Sequence, residues 1–177
     1  MRISVAEAAQ RLEARGLLRR HRRCDAERVI EHVTQLLGGG IPRDLRDFYQ
    51  EGIESVGEFG AISPAWNDRV GWRTDNAVVT ELLHARAVPV FGDGCGDLYG
   101  LDLTPGTETP AVYFFEHEGP SPFEKPEYAV GSSLGVFLLL LADHDRAFRE
   151  GWPPKWELSI DPELDKCPRA PPLWLAG

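Results

Sequence analysis

The sequence predicts an α+β domain, an antiparallel sheet flanked by helices. Three observations carry the prediction. Apolar residues recur at helical spacing through the first half of the chain and again near residue 140, whereas residues 87–130 alternate as extended segments. The connectors between those extended segments are shorter than the crossover of a dozen or more residues that parallel strands need. The 177 residues, 42% hydrophobic and 10% aromatic, fit one globular domain, since domains commonly run ~100–200 residues.

Ser4 and Glu7 form a capping box, and Val5, Ala8, Ala9 and Leu12 share one face, so a first helix is expected to run to Gly16. Next comes Arg19-Arg20-His21-Arg22-Arg23, which reads as a solvated charged connection, too short and isolated to hold nucleic acid alone. Asp25 can cap a second helix with the stripe Val29, Ile30, Val33, Leu36 and Leu37, stopped by glycines 38–40. Pro42 suits a helical first turn, and Leu45, Phe48 and Tyr49 then face one way until Gly52. Residues 53–70 read as turn-rich, with a short strand over residues 69–73. Thr74 or Asp75 can cap a helix bearing Val78, Val79, Leu82 and Leu83 and ending near Arg86.

Strands are expected over residues 87–91, 98–103, 111–115 and 128–130, with Pro89 marking an edge or a bulge. Ser132 or Ser133 caps a last helix in which Leu134, Phe137, Leu138, Leu141 and Phe148 share a face and which Gly151 closes. Residues 152–177 hold many prolines together with Trp152, Trp156 and Trp174. They are expected to lie across the body without regular structure, the alternative being a docking arm for a partner. The expected core comprises Leu45, Phe48, Val79, Leu82, Leu101, Val112, Phe114, Phe137 and Leu141.

Charge divides the chain. Residues 1–40 carry 8 arginines against 5 acids, so the remainder carries 11 basic against 23 acidic groups, and the total is −9. So acidic a body repels phosphates and attracts a basic protein. The longest apolar run, Gly135 to Ala142, falls far short of the ~18 residues of a membrane helix, and no secretory signal pattern opens the chain. Cys24, Cys95 and Cys167 are too scattered for a disulfide framework. A cytoplasmic protein with no nucleic-acid or membrane partner is expected.

Gly92-Asp93-Gly94-Cys95-Gly96-Asp97 is the loop that invites chemistry. A dinucleotide fingerprint fails because Asp97 stands where glycine is needed and a strand follows, and no Lys-Ser/Thr pair makes a P-loop. A calcium loop would find Gly94 or Cys95 where it needs an oxygen ligand. A tight hairpin accounts for the residues more simply. Cys95, His117 and Asp97 are the right types for a thiol nucleophile, yet no helix N-terminus lies there to lower the thiol pKa. His84, His117 and His144 with Glu116 or Asp143 lack metal-ligand spacing. Glu116 and Glu118 alternate with His117, and as a strand they would face away from it. A metal- or thiol-dependent hydrolase is the alternative reading, and no cofactor is expected.

The order of segments resembles the SUKH superfamily, which includes fungal cell-wall-synthesis regulators of the Smi and Knr type. The residues that carry the resemblance are Ile41 to Tyr49, Gly92 to Asp97, Leu101-Asp102, Glu116-His117-Glu118, and Ser132-Ser133 before Phe137. It covers residues 25–150, leaving residues 1–24 as a helical extension and 151–177 as a tail packed on the body. The resemblance implies a curved sheet of about four to six strands. It also implies a non-enzymatic domain that binds other proteins, in bacteria often an immunity protein that neutralises a polymorphic toxin. Asp93, Asp97, Glu116 and Glu118, helped by Trp66 or Trp72, are the residues expected to meet a basic partner.

Overall fold

A computed structural model describes residues 3–21, 26–62, 77–105, 109–118 and 123–168. Its strands are β1 (Leu18–Arg20), β2 (Ile53–Val56), β3 (Phe59–Ala61), β4 (Ala87–Gly92), β5 (Leu98–Asp102), β6 (Val112–Phe115) and β7 (Tyr128–Gly131). They make one open antiparallel sheet of seven strands whose order in space is their order along the chain. The expected α+β architecture is therefore present, with more strands than the expected about four to six. The additional ones are short. Leu18–Arg20, expected within a charged connection, is an edge strand, because Arg20 is held by the Glu51 carboxylate at 2.6 Å and also donates to the Glu51 carbonyl. Residues 53–61, expected as turns, form the β2–β3 hairpin.

The helices are α1 (Val5–Ala14), α2 (Ala26–Leu37), α3 (Arg43–Glu51), α4 (Ala77–His84), α5 (Leu134–Glu150) and α6 (Glu157–Ile160). Ser4 caps α1 by accepting from the Glu7 N–H at 3.2 Å, and the stripe Val5, Ala8, Ala9 and Leu12 is fully buried. Ser133 caps α5 in the same way through the Val136 N–H. α3 and α5 lie on one face of the sheet: the Phe91 ring of β4 sits 5.7 Å from Phe48 and 5.9 Å from Phe137, both edge-on. Such pairs add about 0.5–1.5 kcal/mol each beyond the area they bury. α1 packs on α5, and there a Cβ at Gly135 would collide with the backbone carbonyl of Ile3 and with Ser4. Only glycine lets the two backbones approach so closely. Arg15 grips the buried Asp143 of α5 at 2.5 Å and fastens the end of α1 to the same helix.

Eight of the nine expected core residues are buried, and Phe114 is the exception. Its neighbour Phe115 takes the buried place, because Gly100 clears space for that ring: a Cβ at residue 100 would lie 2.9 Å from it. Pro89 lies inside the sheet, at a register shift between Pro89 and Phe91, so the bulge is present and the edge is not. On β4, β3 pairs with Phe91 and Gly92, and the ladder on that side therefore asks no N–H of Pro89.

Beyond α5 the chain is more regular than its prolines suggest. α6 is followed by a 3₁₀ turn, Leu164–Lys166, with Leu164 fully buried. The buried Asp161 accepts from both the N–H and the hydroxyl of Ser132, each at 2.6 Å, and so ties the segment to the junction of β7 and α5. Trp152 and Trp156 meet edge to face at 5.2 Å, with Arg146 over the Trp152 ring at 4.6 Å. Cys24, Asp25, Trp66, the strand expected over residues 69–73 with Trp72, Thr74, Asp75 and Trp174 lie outside the described residues.

Candidate functional site

The β4–β5 connection is a tight turn built by its own aspartates. Asp93 accepts from the N–H groups of Cys95 at 2.7 Å and Gly96 at 3.2 Å, which closes an Asx turn. Gly94 and Gly96 have φ of +83° and +121°. Gly96 is required for a second reason, since a Cβ there would lie 2.9 Å from the His117 ring. That ring comes from the end of β6. Pairing of Leu98 with Phe115 brings the two segments side by side, and Asp97 accepts from the His117 N–H at 2.9 Å and binds its Nδ1 at 2.7 Å.

The other imidazole nitrogen, Nε2, faces Glu118 at 3.7 Å. Glu118 therefore leans onto His117, because β6 ends at Phe115 and the strand alternation expected for residues 116–118 does not hold there. The Asp97 carboxylate, with Glu118 and Asp93 nearby, holds the imidazole above its ordinary range and favours the imidazolium. Asp93, Asp97 and Glu118 thus surround one histidine. Glu116 is exposed and acts instead on Tyr128, whose phenol is held above its ordinary range by burial first and then by Asp97, Glu116 and Glu127.

Beside this acidic end runs a row of rings that single-strand periodicity could not reveal. Tyr99, Phe114 and Tyr128 are register partners on β5, β6 and β7, with centroids 5.7 Å and 5.1 Å apart. All three are half-buried. Trp66 and Trp72, expected to supply aromatic surface, lie outside the described residues.

Cys95 is exposed at the turn, while His84, His117 and His144 sit on separate elements. Among the described residues no group of three or more His, Cys, Asp or Glu side chains could hold a metal ion. No helix among them is long and apolar enough to cross a membrane.

Residues 26–140 match the SMI1 / KNR4 family (SUKH-1). The chain belongs to this family. No curated protein and no solved structure matches it. The SUKH-1 match begins at α2 and ends within α5, so it contains the acidic turn, the aromatic row and the Ser132-Ser133 pair. α1 and β1 precede it and α6 follows it, although β1 belongs to the same sheet.

Proposed function

We propose that this SUKH-1 domain is a non-catalytic protein-binding module that receives a basic partner on its acidic end, as an immunity protein neutralising a co-encoded toxin does. The observation that carries the reading is the gathering of Asp93, Asp97, Glu116 and Glu118 at one end of the sheet, bordered by the half-buried rings of Tyr99, Phe114 and Tyr128. Carboxylates there speed encounter with a cationic surface, and amphipathic rings beside them supply anchoring area. Family membership supports the same reading. A cytoplasmic setting follows from it.

The alternative of a thiol hydrolase has less support. A base that activates Cys95 must meet its thiol, but among the described residues Cys95 is engaged through its backbone N–H by Asp93, and no hydrogen bond joins its thiol to His117.

The test uses the product of the neighbouring reading frame as the partner. Replacing Asp93, Asp97, Glu116 and Glu118 together by Asn and Gln is expected to slow association at low salt and to flatten its salt dependence, with the fold intact. Unchanged rates and salt dependence in a folded variant would show that the partner binds elsewhere.

A further inference from the structure

A cavity of about 510 Å³ lies where β4 and β6 begin and β5 ends, at the opposite end of these strands from the acidic turn. Small-molecule sites commonly have volumes of ~300–1,000 Å³. Tyr113 forms part of its floor, and strand alternation places that ring on the face of β6 opposite Phe114 and the aromatic row.

Of the described residues, four charged side chains line the cavity: Arg86, Asp102, Glu163 and Lys166. Glu163 and Lys166 satisfy each other at 2.9 Å. Arg86 and Asp102 do not. Among the described residues no acid pairs with the Arg86 guanidinium and no base with the Asp102 carboxylate. Asp102 is fixed through Oδ1, which accepts from the Thr104 N–H at 2.9 Å and the Thr104 hydroxyl at 2.7 Å. Pairing of Ala87 with Asp102 brings the two charges to one end of the sheet without joining them.

Arg86 also stands where glycine is usual. It follows α4 with φ of +57°, its N–H donating to the Leu83 carbonyl at 3.0 Å and its carbonyl accepting from the Leu103 N–H at 2.7 Å. Left-handed backbone at a residue with a side chain costs energy and collects at ligand sites. Here it keeps at the cavity a guanidinium that glycine would lack.

The charges say which ligand fits. A phosphate group at Arg86 would share the cavity with two carboxylates, whereas a molecule that carries both signs meets a partner for each. A guanidinium binds a carboxylate as a two-pronged fork, and a carboxylate accepts from an ammonium. Ala85 and Pro126, both half-buried, add apolar wall. We propose that this cavity binds an apolar α-amino acid or dipeptide in its zwitterionic form, its carboxylate on Arg86, its ammonium on Asp102 and its side chain against Ala85 and Pro126. This site goes beyond the protein-binding role and does not depend on it.

The probes are L-phenylalanine and L-leucyl-L-phenylalanine, titrated into the full chain. At least one is expected to shift the NMR signals of the Ala85 and Thr109 methyl groups saturably, and the tighter binder fixes the length. Its N-acetyl form, without the cation, and its C-terminal amide, without the anion, are each expected to bind about tenfold more weakly or worse. Glycine or diglycine, with the same charges and no apolar side chain, is expected to bind several-fold more weakly. Arg86→Gly is expected to weaken binding of the zwitterion about tenfold or more while binding the amide as the parent does, with an equal or higher melting temperature because glycine adopts that φ freely. Asp102→Asn, which keeps an oxygen for Thr104, is expected to weaken binding similarly; the N-acetyl form tests the same contact if that variant does not fold.

Absence of a saturable shift with both probes overturns the proposal, as does undiminished binding of the blocked forms or undiminished binding in Arg86→Gly. Tighter binding of inorganic phosphate overturns the zwitterion assignment. An Arg86→Gly protein that melts well below the parent shows the arginine to be structural and removes it from the site. The acidic turn is untouched in every arm, so these failures are distinct from failure of the acidic-end reading.

Discussion

At the tip of the β4–β5 hairpin a glycine and a histidine share one small space. Gly96→Ala would place a methyl group 2.9 Å from the His117 ring at a φ of +121°. It is expected to cost about 1–3 kcal/mol in urea unfolding, the usual range for a strained backbone position. The Asp97–His117 pair makes a second prediction. Because the folded-state value of His117 is raised above 6.5, the contact stabilises fully below that pH and is lost as pH rises through the higher folded value. NMR titration of the imidazole in Asp97→Asn should therefore give a lower midpoint, and an unmoved midpoint would remove Asp97 as the cause. Both residues stand out in the sequence, but their pairing depends on the β5–β6 register. The same holds for Tyr99, Phe114 and Tyr128, each an ordinary strand aromatic until the strands are aligned. Glu157 had no local signal at all, since its burial comes from α6 folding back onto α5.

At the scale of elements, legibility followed length and apolar content. α1, α3 and α5 carry apolar stripes and end signals over nine residues or more, and each was readable from period and caps. β1 and β3 have three residues each, too few to display alternation, and Arg19-Arg20 disguised β1 as a charged linker; β2 is as long as β6 and β7 but carries Glu54 and Ser55 where they carry apolar residues. What holds such short pieces is pairing and side-chain grip. The tail depends on grip in the same way. Asp161→Ala would leave the Ser132 N–H and hydroxyl without their acceptor, and a loss of about 2–3 kcal/mol is expected, since hydrogen bonds to charged groups contribute ~1.5–3 kcal/mol. Chemical denaturation checks it, and a loss well under 1 kcal/mol would mean that water replaces the carboxylate without cost. Gly135→Ala sets two terms against each other. Helix propensity favours alanine by roughly 1 kcal/mol, but the methyl group would push α5 off the Ile3–Ser4 backbone, and overpacking costs about 1–3 kcal/mol. A net loss is expected, because backbone yields less readily than a side-chain end; a stabilised variant would show that α1 can slide away.

Across the whole molecule, α1 is structural although it precedes the span matched by the family. It buries Val5, Ala8, Ala9 and Leu12 against α3 and α5. A chain shortened to residues 17–177 should lose its sharp thermal transition in circular dichroism, and a parental melting temperature would make α1 an appendage. The strands follow one another in space as they do in sequence, so nearly every sheet contact is made between neighbours along the chain. The union of α1 with α5 spans far more of the chain, joining Arg15 to Asp143 across 128 positions. On the ribosome this order matters. Synthesis proceeds at ~5–20 residues per second, so α1 waits on the order of ten seconds for α5, with α3 alone at hand to cover part of its apolar stripe in the meantime. The domain can close only when nearly all of it has been made.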